Sequence, residues 1–131
     1  MNKEYVAYKG NAFQIEWYYS PKGDSQAFDY YLELDPGGRR KVLQLFKVMG
    51  EIGKIHDITK FRNEGDKIYA FKPQPHRFLS FFVEGEKIIV TNAFWKKQDK
   101  LPDSEKQKAL TCMESYLKRI KEGNYYEEEE Q

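Results

Sequence analysis

The sequence predicts an α+β domain: a helical hairpin and a C-terminal helix packed on a mainly antiparallel, twisted sheet of about four or five strands. Three observations predict it. Apolar residues recur at helical spacing in two stretches, 39–49 and 103–122. Runs rich in β-branched and aromatic residues at 5–19, 67–72, 77–83 and 87–94 read as strands. The last two runs are separated only by Glu84-Gly85-Glu86, a turn that pairs them as a hairpin.

Taken in order, residues 5–19 are extended, with Phe13, Ile15 and Trp17 alternating against Gln14, Glu16 and Tyr18. Lys9-Gly10-Asn11 is a turn signal that would fold this run into a hairpin. Residues 25–34 read as a short helix with Phe28, Tyr31 and Leu32 on one face, stopped by Asp35-Pro36-Gly37-Gly38. A second helix over 39–49 carries Val42, Leu45, Phe46 and Met49 on a single stripe, and Gly50 and Gly53 end it. In the last strand, Ile88, Val90, Asn92 and Phe94 are expected on one face, with Ile89 and Thr91 on the other. Pro102 opens the final helix, in which Ser104 and Gln107 fit a capping box. Ala109, Met113, Tyr116 and Ile120 form its stripe, and Gly123 stops it.

A length of 131 residues fits one domain, expected over 1–124, followed by an acidic tail over 125–131 that frays into solvent. An aromatic share of 16% excludes a disordered chain. The apolar runs fall far short of the roughly 20 residues that a spanning helix needs, so no membrane role is expected. The opening Met1-Asn2-Lys3-Glu4 lacks the apolar stretch of a signal peptide, and a cytoplasmic location follows as the expectation. The one cysteine, Cys112, excludes an intramolecular disulfide and a thiolate zinc cluster; beside the helix stripe it reads as a small buried hydrophobe. With only His56 and His76 besides, no metal and no cofactor are expected. His56-Asp57 resembles an orienting pair, but neighbours in a strand point opposite ways.

The net charge of +1 hides an asymmetry. Setting aside Glu127, Glu128, Glu129 and Glu130 leaves 22 bases against 17 acids, a cationic body of about +5. The predicted hairpin concentrates part of that charge. Its turn is centred near Gly85, so Arg77 should lie opposite about position 93. Arg77, Phe94, Lys96 and Lys97 then meet at one end of the sheet, within reach of Lys72 before Pro73 and Pro75. An arginine fork and lysine point charges suit phosphate, and exposed aromatics such as Phe94 and Trp95 suit unpaired bases. RNA cleavage by attack of a 2′-OH on the adjacent phosphate needs no metal. It needs positive charge where the phosphorane forms, which Arg77, Lys96 and Lys97 can supply, and proton transfer, for which His76 is the candidate. Lys72, Phe94, Trp95 and Lys100 are the candidate RNA-binding residues around them.

The run Ile68-Tyr69-Ala70-Phe71-Lys72, Arg77-Phe78, the hairpin through Glu84-Gly85-Glu86 to Phe94-Trp95-Lys96-Lys97, and Lys100-Leu101-Pro102 with Ala109 together resemble the phage-derived, HigB-like branch of the RelE/ParE toxin superfamily. That resemblance covers about residues 25–120 and rests most on the F-x-K-K…P…A portion. It implies a RelE-like fold and the toxin of a bacterial type II toxin–antitoxin pair, acting as a ribosome-dependent, metal-independent mRNA endonuclease. It also implies a helix-turn-helix antitoxin and ribosome-bound mRNA as partners. Arg77 matches the family's phosphate-facing arginine, and Lys96 and Lys97 its basic pair. The sequence departs at Ala70, where the motif has Glu, at Lys72, where it has Arg, and at Leu101, where it has Thr. The alternative on the same scaffold is a non-enzymatic protein-binding module, a ParE-like gyrase inhibitor or a phage-derived host-interaction protein.

Overall fold

The computed structural model describes residues 3–126. Over these residues the chain forms β1 (Val6–Lys9), β2 (Gln14–Trp17), α1 (Gln26–Leu32), α2 (Pro36–Ile52), β3 (Phe61–Asn63), β4 (Tyr69–Phe71), β5 (His76–Val83), β6 (Lys87–Trp95) and α3 (Asp103–Glu122). The α+β class and the three helices stand as expected. The sheet is larger and mixed: six strands in the order β1-β2-β6-β5-β4-β3. Four neighbouring pairs are antiparallel, and β2 runs parallel to β6.

Two strands account for the difference. Gly10 breaks the first extended run into the β1–β2 hairpin, and β2 then docks on β6 rather than at a free edge. β3 is three residues, Phe61-Arg62-Asn63, too short to register as a period in sequence.

The helix boundaries follow local chemistry. Ser25 caps α1, its Oγ accepting from the Phe28 N–H at 3.3 Å. Asp35 Oδ1 accepts from the Gly38 N–H at 2.7 Å and caps α2, with Pro36 in its first turn. Pro36, Gly37 and Gly38 therefore belong to the second helix rather than to the corner before it, because a proline ring is pre-set for the helix start and lacks only an N–H that would have no helical partner there. In α3 the expected capping box does not form. Pro102 occupies the N-cap, no side chain caps the helix, and Ser104 lies inside the first turn.

The sheet is covered on both faces. α1 and α2 close one face, with Phe46 of α2 in one core with Ile15, Trp17, Phe71, Phe78, Ile88 and Val90. α3 closes the other, with its Tyr116 in one core with Ile68, Leu79, Phe81 and Ile89. Tyr125 is only 3% exposed and packs with this second core, its hydroxyl accepting from the Tyr19 N–H at 2.9 Å. Tyr126 donates to the buried carboxylate of Glu16 at 2.5 Å. Both tyrosines are docked, contrary to the expectation that the chain frays from Tyr125; the glutamate run that follows lies outside the described residues. Ile120, expected in the buried stripe of α3, is 40% exposed, while Tyr125 packs edge-on against Tyr116 at 4.7 Å.

Candidate functional site

The site begins with the β5–β6 hairpin. Gly85 and Glu86 adopt left-handed backbone angles, φ +87° and +59°, and the three-residue loop brings Val83 opposite Lys87. Arg77 consequently pairs with Phe94, and His76 with Trp95.

A bulge then decides which side chains meet. Leu79 pairs with Asn92 but Ser80 pairs with Val90, so Thr91 is an extra residue in β6. Its insertion reverses the alternation beyond it. Ile88 and Val90 face the α1–α2 core, whereas Asn92 turns to α3, where its Nδ2 donates to Glu105 at 3.1 Å. Phe94 likewise packs with the α3-side core. The expected single face of Ile88, Val90, Asn92 and Phe94 is thus split by Thr91. The physical consequence is that Phe94 joins Arg77 on the α3 side.

There, Arg77, Lys72, Lys96, Lys100 and Phe94 line one narrow cleft of about 20 Å³, with Ala70, Glu64 and Asp99. Arg77 is 8% exposed. Its Nη1 donates to Gln74 Oε1 at 3.1 Å and to the His76 carbonyl at 2.9 Å, so the guanidinium is held at two points. Burial draws its pKa down, and Glu64 and Asp99 oppose that; an arginine nonetheless stays protonated. Lys72 donates to the Ile58 carbonyl at 3.0 Å. Burial first, then the neighbouring Arg77, Arg62 and Lys96, lower the pKa of its ammonium. Lys96 meets Asp99 at 3.0 Å, but Asp99 is fully exposed and such pairs are weak. Lys100 is an exposed member of the rim.

The other sequence candidates lie elsewhere. His76 is buried, and as the strand neighbour of Arg77 it points to the opposite face. It shares a hydrogen bond between Nδ1 and the Tyr30 hydroxyl at 2.7 Å and packs edge-on against Trp95 at 5.4 Å. Burial, with Lys41 adding to it, lowers its pKa and keeps the ring neutral. Trp95 is 57% exposed on that same face. Lys97 is exposed and does not line the cleft. Cys112 is partly buried, and burial pushes its thiol up to about 11, far from a reactive thiolate.

Glu64 was not legible as a site residue. It follows the short edge strand β3, and its N–H donates to the Ile68 carbonyl at 2.8 Å across a tight turn in which Gly65, Asp66 and Lys67 all have positive φ. The Gly65-Asp66 turn signal was present, but nothing local indicated that the loop leans toward Arg77. Among the described residues, no group of three or more His, Cys, Asp or Glu side chains is gathered as a metal would require. Among the same residues, no helix is long and apolar enough to cross a membrane.

Fold and cleft together define a class: small α+β proteins with helices on both faces of one mixed sheet and an arginine–lysine cleft at the open end of the central hairpin. Within it, this chain belongs to the family described as phage derived protein Gp49-like (DUF891), which matches residues 29–114. The match runs from α1 into α3 and contains every residue of the cleft, while β1 and β2 lie outside it. No curated protein matches the chain.

Proposed function

We propose that this protein is the toxin of a bacterial toxin–antitoxin pair and that it acts in the cytoplasm on ribosome-bound mRNA. The observation that carries the reading is the convergence of Lys72, Arg77, Lys96 and Lys100 beside Phe94 in one cleft. Four cations and an aromatic edge suit a phosphate flanked by an unpaired base. Membership of a phage-derived family and the RelE-like outline of the sequence support the same reading.

The chemistry is attack of a ribose 2′-OH on the adjacent phosphorus, which breaks the P–O5′ bond and leaves a 2′,3′-cyclic phosphate and a 5′-OH. Arg77 and Lys96 stabilise the phosphorane charge. Lys72, with its lowered pKa, and Glu64 are the proton-transfer groups within the cleft. His76 is a positioning residue in this reading, because its carbonyl holds Arg77 while its ring lies across the sheet. Lys97 and Trp95, both outside the cleft, are contacts for the wider RNA or ribosome surface. A helix-turn-helix antitoxin is the expected partner, encoded next to this chain.

The second reading is a non-enzymatic binding module, favoured by the exposed Trp95 on the face away from the cleft. One experiment separates the two. Induced expression should arrest growth and translation, with mRNA cleavage visible by primer extension. Arg77→Ala and Lys96→Ala should each slow cleavage by about 10²–10³-fold, the range for loss of one transition-state donor, with the unfolding temperature of Lys96→Ala unchanged. Equal toxicity of both variants defeats the cleft assignment, and arrest with intact mRNA favours the binding module.

A further inference from the structure

A second concavity lies on the other side of Lys72. It is much larger than the cleft, about 700 Å³, and is walled by α2 and the segment 54–60. Its floor is aliphatic, formed by Leu45, Val48, Ile55 and Pro73. Its rim carries Lys41, Lys54, Lys60 and Lys72. One exposed acid, Asp57, lines it beside them, its Oδ1 accepting from the Thr59 hydroxyl at 2.6 Å and the Thr59 N–H at 2.9 Å, so the lysines outnumber the acids on the groove. Among the described residues, no Phe, Tyr or Trp lines it.

This chemistry selects the occupant. Single-stranded nucleic acid relies on aromatic stacking platforms, and among its described lining residues the groove offers one imidazole, His56, and no larger ring. An amphipathic peptide places aliphatic anchors into such a floor and its carboxylates against such a rim. Gln74 physically couples groove to cleft. Its carbonyl accepts from Lys41 Nζ at 3.4 Å, its Nε2 donates to the Thr59 carbonyl at 3.3 Å, and its Oε1 accepts from Arg77. Lys72 lines both spaces.

We propose that this groove seats an acidic amphipathic segment of a partner protein, and that its occupation and RNA at the cleft exclude each other through Lys72 and Gln74. The first half stands independently; the second rests on the reading of the cleft as an RNA site. A carboxylate at Lys72 would compete with a phosphate for the same ammonium. A shift of Gln74 would release one of the two acceptors that hold Arg77.

The test uses the full chain and three probes in fluorescence anisotropy: a short labelled peptide of leucine and glutamate in amphipathic order, the same peptide with glutamine for glutamate, and a short single-stranded RNA. The acidic peptide should bind, and the glutamine version should bind about tenfold or more weakly, a loss equivalent to about 1.4 kcal/mol. Lys54→Glu with Lys60→Glu should weaken the acidic peptide by a similar factor, as should Val48→Asp, with folding checked by circular dichroism. Unlabelled RNA should displace the peptide. Equal binding of both peptides, or unchanged binding in both variants, overturns the groove assignment. Loss of RNA rather than peptide affinity in the lysine variant overturns it in favour of a nucleic-acid path. Simultaneous binding overturns the exclusion. Peptide binding with no RNA binding leaves the groove standing and removes the reading of the cleft.

Discussion

Two buried polar residues show how single side chains set the behaviour of this protein. His76 is held neutral by burial, between Tyr30 and Trp95. Its folded pKa lies below the ordinary 6.5, so the unfolded chain takes up a proton first as pH falls. The stabilisation is fully present above pH 6.5 and is lost as pH drops from there toward the folded pKa. Urea midpoints measured from pH 7.5 downward should fall for the native chain, and His76→Gln should flatten that slope; an unchanged slope would show that His76 is not its source. Glu16 is the second residue, 2% exposed and bonded by Gln14 at 2.6 Å, by Lys87 at 3.5 Å and by Tyr126. Tyr126→Phe removes a charge-assisted donor from a buried carboxylate. It should cost about 1–3 kcal/mol in chemical denaturation. A cost near zero would mean that the docked C-terminus contributes little.

At the scale of elements, the β1–β2 turn and the end of α2 approach so closely that two glycines are required. A Cβ on Gly10 would collide with the backbone carbonyl of Gly50. That carbonyl accepts from the Ala12 and Phe13 N–H groups at 2.7 and 3.0 Å. A Cβ on Gly50 would lie 2.6 Å from the Tyr8 ring. Gly50→Ala should therefore destabilise by about 1–3 kcal/mol through overpacking, despite alanine's better helix propensity, as a thermal melt will register. The sequence marked Gly50 only as the end of a helix, because a close approach between distant segments leaves no local trace. The same holds for β6. Period-two reading correctly located the strand and its partner, but a bulge is invisible when the inserted residue, Thr91, is itself a good strand former.

The whole molecule carries its charge unevenly. Lys72, Arg77, Lys96 and Lys100 stand at the Trp95 end of β6, whereas Tyr126 sits over Lys87 at the other end, 4.7 Å from ring to ammonium. Binding of RNA at the cleft should fall with salt in proportion to the phosphates neutralised. Four cations on a single strand give a slope of log affinity against log salt of about −2 to −3. A slope near zero in an RNA titration would contradict the electrostatic reading. A steeper one would mean that Lys97 or the groove lysines join the contact.

The sequence by itself determined the helices, the central hairpin and the meeting of Arg77 with Phe94 and Lys96, because each follows from periodicity or from the covalent shortness of a turn. It also named Lys72 and Lys100, whose charges sit close in the chain to that hairpin. Only the tertiary structure decided the rest. It placed His76 across the sheet from Arg77, brought Glu64 in from an edge loop, seated β2 parallel to β6 and tied Tyr125 and Tyr126 to the body. Those outcomes depend on contacts between segments far apart in the chain, where burial and hydrogen-bond satisfaction rather than local preference select the arrangement.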